Sequence, residues 1–192
     1  AVRRRPATRR PPPDQGLTMI SRRHILTSAG ALVATAGLPV TTWAATTDMP
    51  GLAFVYEAIV TLEPTQEVGP TPLGTRRRVP ITGGTFAGPR IRGTVLAGGA
   101  DWQLKRADNW TVIEADYMMR ADDGTLIHVR NVGLTNSRVP GATSRYLRTI
   151  PSFEAPTGPH DWLNQAIFIG TIGPPPDDAP KPSVRIRVYR VT

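Results

Sequence analysis

The feature that most constrains this chain is a two-residue alternation of apolar and polar side chains, carried in short runs and interrupted every ten residues or so by glycine and proline. Such runs bury one face of a strand and wet the other, so the chain must supply several strands that share one interior. Candidate strands cover residues 52–62, 76–82, 90–96, 102–106, 111–120, 126–134, 146–153, 165–172 and 183–191. The turn clusters "GGTFAGP", "AGGAD", "ADDG", "APTGP" and "GPPPDDAPKP" lie between or beside them. No segment holds a helical period beyond a turn or two, and residues 160–165 are the best place for a short helix. Many short strands at this spacing point to an antiparallel barrel or sandwich.

One hairpin can be taken to its register. In "IEADYMMRADDGTLIHVRNVG", a two-residue Asp123-Gly124 turn would mix polar and apolar groups on both faces. A three-residue loop of Asp122, Asp123 and Gly124 pairs Ala121 with Thr125 instead, with the glycine at the left-handed bulge position. Ile113, Ala115, Tyr117, Met119, Ile127, Val129 and Asn131 then share the inner face. Asp116 falls opposite Arg130, a cross-strand pair worth about 0.2–1 kcal/mol. The same alternation sets Phe54, Tyr56, Ala58 and Val60 inward on the first strand, and Val184, Ile186 and Val188 inward on the last. It turns Trp102 and Leu104 inward, Gln103 and Lys105 outward, and leaves Asp101 at the rim.

The chain divides into three parts. Residues 1–18 are rich in arginine and proline with almost no apolar content, and read as a disordered extension ahead of a possible start at Met19. Residues 19–45, "MISRRHILTSAGALVATAGLPVTTWAA", have a basic start, a weakly apolar middle and a small-x-small ending, the pattern of an export signal cleaved near Ala44. Arg22-Arg23, between Ser21 and Leu26, resembles a twin-arginine signal, with Ile25 and Thr27 departing from its usual residues. That resemblance implies the twin-arginine export machinery as a partner and a periplasmic or secreted location. The apolar middle falls short of the roughly 20 residues that span a bilayer, so stable membrane insertion is not expected. Residues 46–192 form the folded domain.

Charge supports this division. Seven arginines against Asp14 in residues 1–45 carry six of the eight net positive charges, leaving two on the rest. The high isoelectric point thus belongs to the leader, and nucleic-acid binding, which needs a basic surface on the folded domain, is not expected.

The segments "TPLGTRRRVPITGGTFAGPRIRGTVLAGGADWQ", "DYMMRADDGTLIHVRNVG", "RYLRTIPSFE" and "HDWLNQAIFIGTI", in this order, resemble domain-of-unknown-function family 3237, also catalogued as uncharacterised protein family 0311. The resemblance runs from about Gly51 to Val191. It implies a small antiparallel β-barrel with a central cavity and transfers no catalytic residues. His128 departs from it, standing where an aromatic such as tyrosine is expected. The fold class expected is therefore all-β, a single antiparallel barrel of about eight to ten strands around an interior cavity.

Several chemistries lack their residues. With no cysteine and only His128 and His160 beyond the leader, a zinc site of nitrogen and sulfur ligands is not expected, and no metal or other cofactor is assigned. No serine sits in a G-x-S-x-G elbow, and no phosphate loop ends in Gly-Lys-Ser/Thr. "GGTFAG" reads as two turns around a short strand.

The positive candidates are few. Asp101, tethered by Gly98 and Gly99 beside Trp102, is either a desolvated general acid or base or a carboxylate capping its own turn. Tyr117 and Asn131 can hold a ligand carbonyl, or satisfy one another. Arg148 shares a face with Tyr146 and Ile150; facing inward it needs a carboxylate, and otherwise it is a surface arginine. In "HDWLN", Trp162 and Asn164 form a lid over the cavity or a plug in the barrel end. The catalytic candidates are Asp101 and Tyr117. Trp102, Asn131, Arg148, Trp162 and Asn164 are the candidates for binding. The function expected is binding of, or cofactor-free acid-base chemistry on, a small organic molecule, aromatic or carbonyl-containing. The competing expectation is a non-catalytic binding or structural envelope protein.

Overall fold

A computed structural model describes residues 49–136 and 145–192. The readings of residues 1–18 and 19–45 lie outside the described residues. The described chain forms ten strands and one short 3-10 turn: β1 Leu52–Leu62, β2 Gln66–Thr71, β3 Gly74–Ala87, β4 Arg92–Val95, β5 Ala100–Lys105, β6 Thr111–Ala121, β7 Leu126–Asn136, β8 Tyr146–Glu154, the 3-10 turn Asp161–Gln165, β9 Phe168–Gly173 and β10 Ser183–Val191.

The strands close into an antiparallel barrel, as expected. The order runs β1, β10, β9, β8, β7, β6, then β4 and β5 sharing one position, then β3, which returns to pair with β1. Eight positions therefore surround the interior. The 14-residue β3 makes closure possible. Its first half pairs with β5 and β2, its second half with β4 and β1, so it bridges two levels of the barrel. Of the stretch "GGTFAG", Gly83 to Ala87 lie within the second half of this strand and do not form a pair of turns. Gly84 adopts φ +143°, and a Cβ there would meet the carbonyl oxygen of Ile59 at 2.1 Å, so β1 and β3 close only around a glycine.

The β6–β7 hairpin takes the expected register. Ala121 donates to the Thr125 carbonyl, Asp116 stands opposite Arg130, and the seven residues from Ile113 to Asn131 named above for the inner face are all buried. The charges couple diagonally, however. Arg130 bonds Glu114, while Asp116 takes His128 Nε2 at 3.0 Å, whose Nδ1 lies 3.3 Å from Glu154. His128 thus belongs to an outer charged strip, and its hydrogen bond to Asp116 raises its pKa.

The interior is unequal along its axis. At one end Tyr56, Phe86, Phe153 and Phe168 pack edge to face or tilted, with centroids 5.0–6.2 Å apart, joined by Met119, Ile127 and Leu163. Each large side chain buried here contributes about 1.5–3 kcal/mol. The 3-10 turn stoppers this end. At the other end the same inward rows carry smaller or polar residues, and the barrel is hollow.

Candidate functional site

The hollow has a volume of about 530 Å³. Its wall is mostly aliphatic, including Val60, Leu62, Val79, Ile81, Ile113 and Ile186, and four polar side chains enter it from β5, β6 and β7: Asp101, Gln103, Tyr117 and Asn131. An apolar enclosure with a few convergent polar groups is the ordinary form of a small-molecule site.

Asp101 reaches the hollow because β5 has the parity opposite to that expected. Asp101 and Gln103 point inward. Trp102, 41% exposed, points outward, where the Arg78 guanidinium lies 5.8 Å from its ring. The correction has a physical reason: the register places Asp101 opposite Val79 and Ala115, both inward residues, so pairing overrides the apolar character of Trp102.

The carboxylate is held on both oxygens. Oδ1 accepts from the Glu114 backbone N–H at 3.1 Å, and Oδ2 from Gln103 Nε2 at 2.5 Å. Gln103 Oε1 accepts in turn from Arg77 Nε at 2.8 Å. A relay therefore runs from a guanidinium at the rim through an amide to a carboxylate in the wall. Burial raises the Asp101 pKa, opposed by the hydrogen bonds from Gln103 and Glu114 and by the charge of Arg77. The bonds orient the group and desolvation sets the sign of its shift. The carboxylate is thus poised to accept a proton, as a general base requires.

Tyr117 is buried, and desolvation raises its pKa so that the phenol stays protonated, a hydrogen-bond donor at neutral pH. Deeper in, Tyr56 is raised well above its ordinary value by burial, with Tyr117 adding to the rise. The two phenols interact without satisfying Tyr56 Oη. Asn131 is 1% exposed and its Oδ1 has no partner. An orphaned acceptor facing a cavity is a place for a ligand donor.

The remaining candidates lie elsewhere. Arg148 is on the outer face with Tyr146 and Ile150, its guanidinium 5.7 Å from the Tyr146 ring and bonded to the Leu147 carbonyl. Inward parity on β8 belongs to Leu147, Thr149, Pro151 and Phe153. Trp162 and Asn164 belong to a plug at the filled end and not to a lid on the hollow. Asn164 clamps Ala155 through its N–H and carbonyl, both at 2.8 Å, and Trp162 stacks 4.3 Å from the Arg90 guanidinium carbon. Phe54 also corrects the inward row of β1. A bulge between Phe54 and Tyr56 turns it outward onto Tyr189 and puts Val55 inside.

Gln103 and Arg77 were missed. Arg77 is the middle residue of the run Arg76–Arg78 on β3. Its parity with Val79 and Ile81 carried the signal that it alone of the three points toward the hollow.

Residues 50–191 match the family model described as "Protein of unknown function (DUF3237)". A UPF0311 protein of Rhodopseudomonas palustris is 32% identical over 129 residues, spanning 62% of this chain and 84% of its own length. The crystal structure of the Rhodopseudomonas palustris conserved protein of unknown function is similar, with TM-score 0.68 and 30% identity over 76% of this chain and all of that one. The hydroalkoxylation enzyme phnH of Penicillium herquei is 28% identical over 140 residues, covering 73% of this chain and 86% of the enzyme. On the barrel and the family match together, this chain belongs to the DUF3237 family.

Proposed function

We propose that the hollow half of the barrel binds a small organic molecule and that Asp101 moves a proton on it without a cofactor. The observation that carries this reading is a buried carboxylate with a raised pKa, fixed on both oxygens and aimed into an apolar cavity beside a protonated phenol and an unpartnered amide oxygen. Ionised Asp101 accepts a proton from the substrate and returns it to another atom of the same molecule, so composition is unchanged. Tyr117 donates to the oxygen on which negative charge develops, and Asn131 Oδ1 accepts from a substrate hydroxyl or N–H.

Isomerisation fits this inventory, and so does elimination, in which the C–H bond and the bond to the leaving group break as the π bond forms and Asp101 passes its proton to the departing group. So does addition of a hydroxyl across a carbon–carbon double bond, the reaction named for the Penicillium relative. In that addition the O–H proton passes to Asp101, the C–O bond forms as the π bond breaks, and a proton is delivered to the remaining carbon. The leader reading adds that the folded barrel is exported to the periplasm or beyond.

The experiment identifies small molecules retained by the purified protein by mass spectrometry, then measures their conversion by wild type and Asp101→Asn. Turnover should fall by about a hundredfold or more while the molecule stays bound. Undiminished turnover in the variant, or a retained molecule that wild type never converts, would refute the catalytic reading.

A further inference from the structure

The inward rows of four strands continue past the hollow to the open rim, and there they change character. Arg77 on β3, Lys105 on β5 and Arg145 just before β8 line a second cavity of about 390 Å³ with Asn109, Thr111 and Thr135. This vestibule adjoins the hollow: Arg145 lines both, and Arg77 bonds Gln103 in the hollow's wall. Arg145 Nε donates to Thr135 Oγ1 at 2.6 Å, which holds its guanidinium at the mouth.

Among the described residues none of the three cations forms an ion pair. Asp108, in the adjoining turn, is engaged by Arg106. Among the described residues two acids stand near Arg77: Asp101, which feels it through space and through Gln103, and Glu67, opposite it on β2 at the exposed edge, which forms no ion pair with it. Three positive charges therefore converge on a recess opening into an aliphatic chamber that holds a single carboxylate. Cations gathered on the wall of one recess with no ion-pair partner, Arg77 half-buried and Lys105 and Arg145 exposed, suit an anion brought by a ligand.

We infer that the ligand of this barrel is an amphipathic organic anion, its apolar body in the hollow and its carboxylate, sulfonate or phosphate head in the Arg77, Lys105 and Arg145 vestibule. The inference rests on the cavity reading above and names the substrate class for it. Strand geometry sets the spacing. At roughly 3.4 Å per residue, Lys105 stands about 14 Å along β5 from Asp101, and Gln103, opposite Arg77, about 7 Å. The head group thus lies about 7–14 Å from the atom that Asp101 deprotonates, and the molecule enters body first.

The test uses two dyes that differ by one sulfonate group, 8-anilinonaphthalene-1-sulfonate and its neutral parent N-phenyl-1-naphthylamine, titrated by fluorescence. Wild type should bind the sulfonate more tightly, and added salt should erase the difference. Lys105→Gln with Arg145→Gln should weaken the sulfonate by about tenfold and leave the neutral dye within about twofold. Retention of the neutral dye certifies that the variant is folded. Arg92→Gln with Arg190→Gln removes the same charge at the plugged end and should change neither affinity. Equal wild-type affinities, or an equal loss in the two double variants, would overturn the anion inference while leaving the cavity intact. Failure of wild type to bind either dye would instead overturn the cavity reading, and this inference with it.

Discussion

A buried side-chain oxygen without a hydrogen bond costs about 1–3 kcal/mol, and Asn131 Oδ1 bears that cost in the wall of the hollow. A residue kept for stability would not leave it unmet. Asn131→Leu, which keeps the branched shape, removes the orphan and has the hollow beside it to take the extra volume, should hold or raise stability in urea unfolding while weakening retention of any small molecule that copurifies. A loss of more than about 2 kcal/mol with binding unchanged would assign Asn131 to the structure instead. Asp101 shows a related tension with a definite sign. Its folded pKa is raised, so its contribution to stability is fully present below its unfolded value of about 3.9 and is lost as pH rises through the folded value. Its activity as a base runs the other way, appearing as the group ionises.

At the scale of elements, the site depends on how closely β5 approaches β6. Gly99 stands where a Cβ would lie 2.5 Å from Tyr117 Cβ and 2.6 Å from the Asp116 carbonyl oxygen, and neither can move without moving β6. Gly98, by contrast, has φ +104° and nothing within 4 Å. Gly99→Ala should therefore cost about 1–3 kcal/mol by overpacking and disturb Tyr117, weakening the neutral dye. Gly98→Ala should cost about 1 kcal/mol of backbone strain and leave the dye alone. Equal effects on dye binding would contradict the close packing at Gly99.

The same elements show what sequence could reveal. The β6–β7 hairpin was legible to the residue because only one register sorts its apolar side chains, and it delivered Tyr117 and Asn131 correctly. On β5 the rule inverts, and on β8 it holds except at Tyr146 and Ile150. The hollow needs Asp101 and Gln103 inside, and Trp102 and Ile150, 41% and 65% exposed, are left outside. Hydrophobic sorting thus fails where the interior is a site, and pairing partners distant in sequence decide instead. Barrel closure by β1 and β3, the bulge in β1 and the β2 strand are likewise properties of pairing and not of local pattern.

Across the whole barrel, one end is filled and the other is not. The aromatic cluster and the 3-10 plug, pinned by Asn164 and by His160 bonded to Asp123 at 3.0 Å, stabilise the fold at the closed end. That leaves the open end free to hold polar groups that a packed core would exclude. The division explains why Trp162 and Asn164, though near aromatic residues, are remote from Asp101.

Asp101 is a desolvated carboxyl facing an apolar hollow, and everything proposed for the barrel turns on that group. Carbon-13 NMR titration of the aspartate carboxyls, with and without N-phenyl-1-naphthylamine, tests this most directly. The resonance lost in Asp101→Asn should titrate above the ordinary aspartate value, and should shift further upward when the dye displaces water from the hollow. A resonance that titrates as an ordinary carboxylate and ignores the dye would contradict the account.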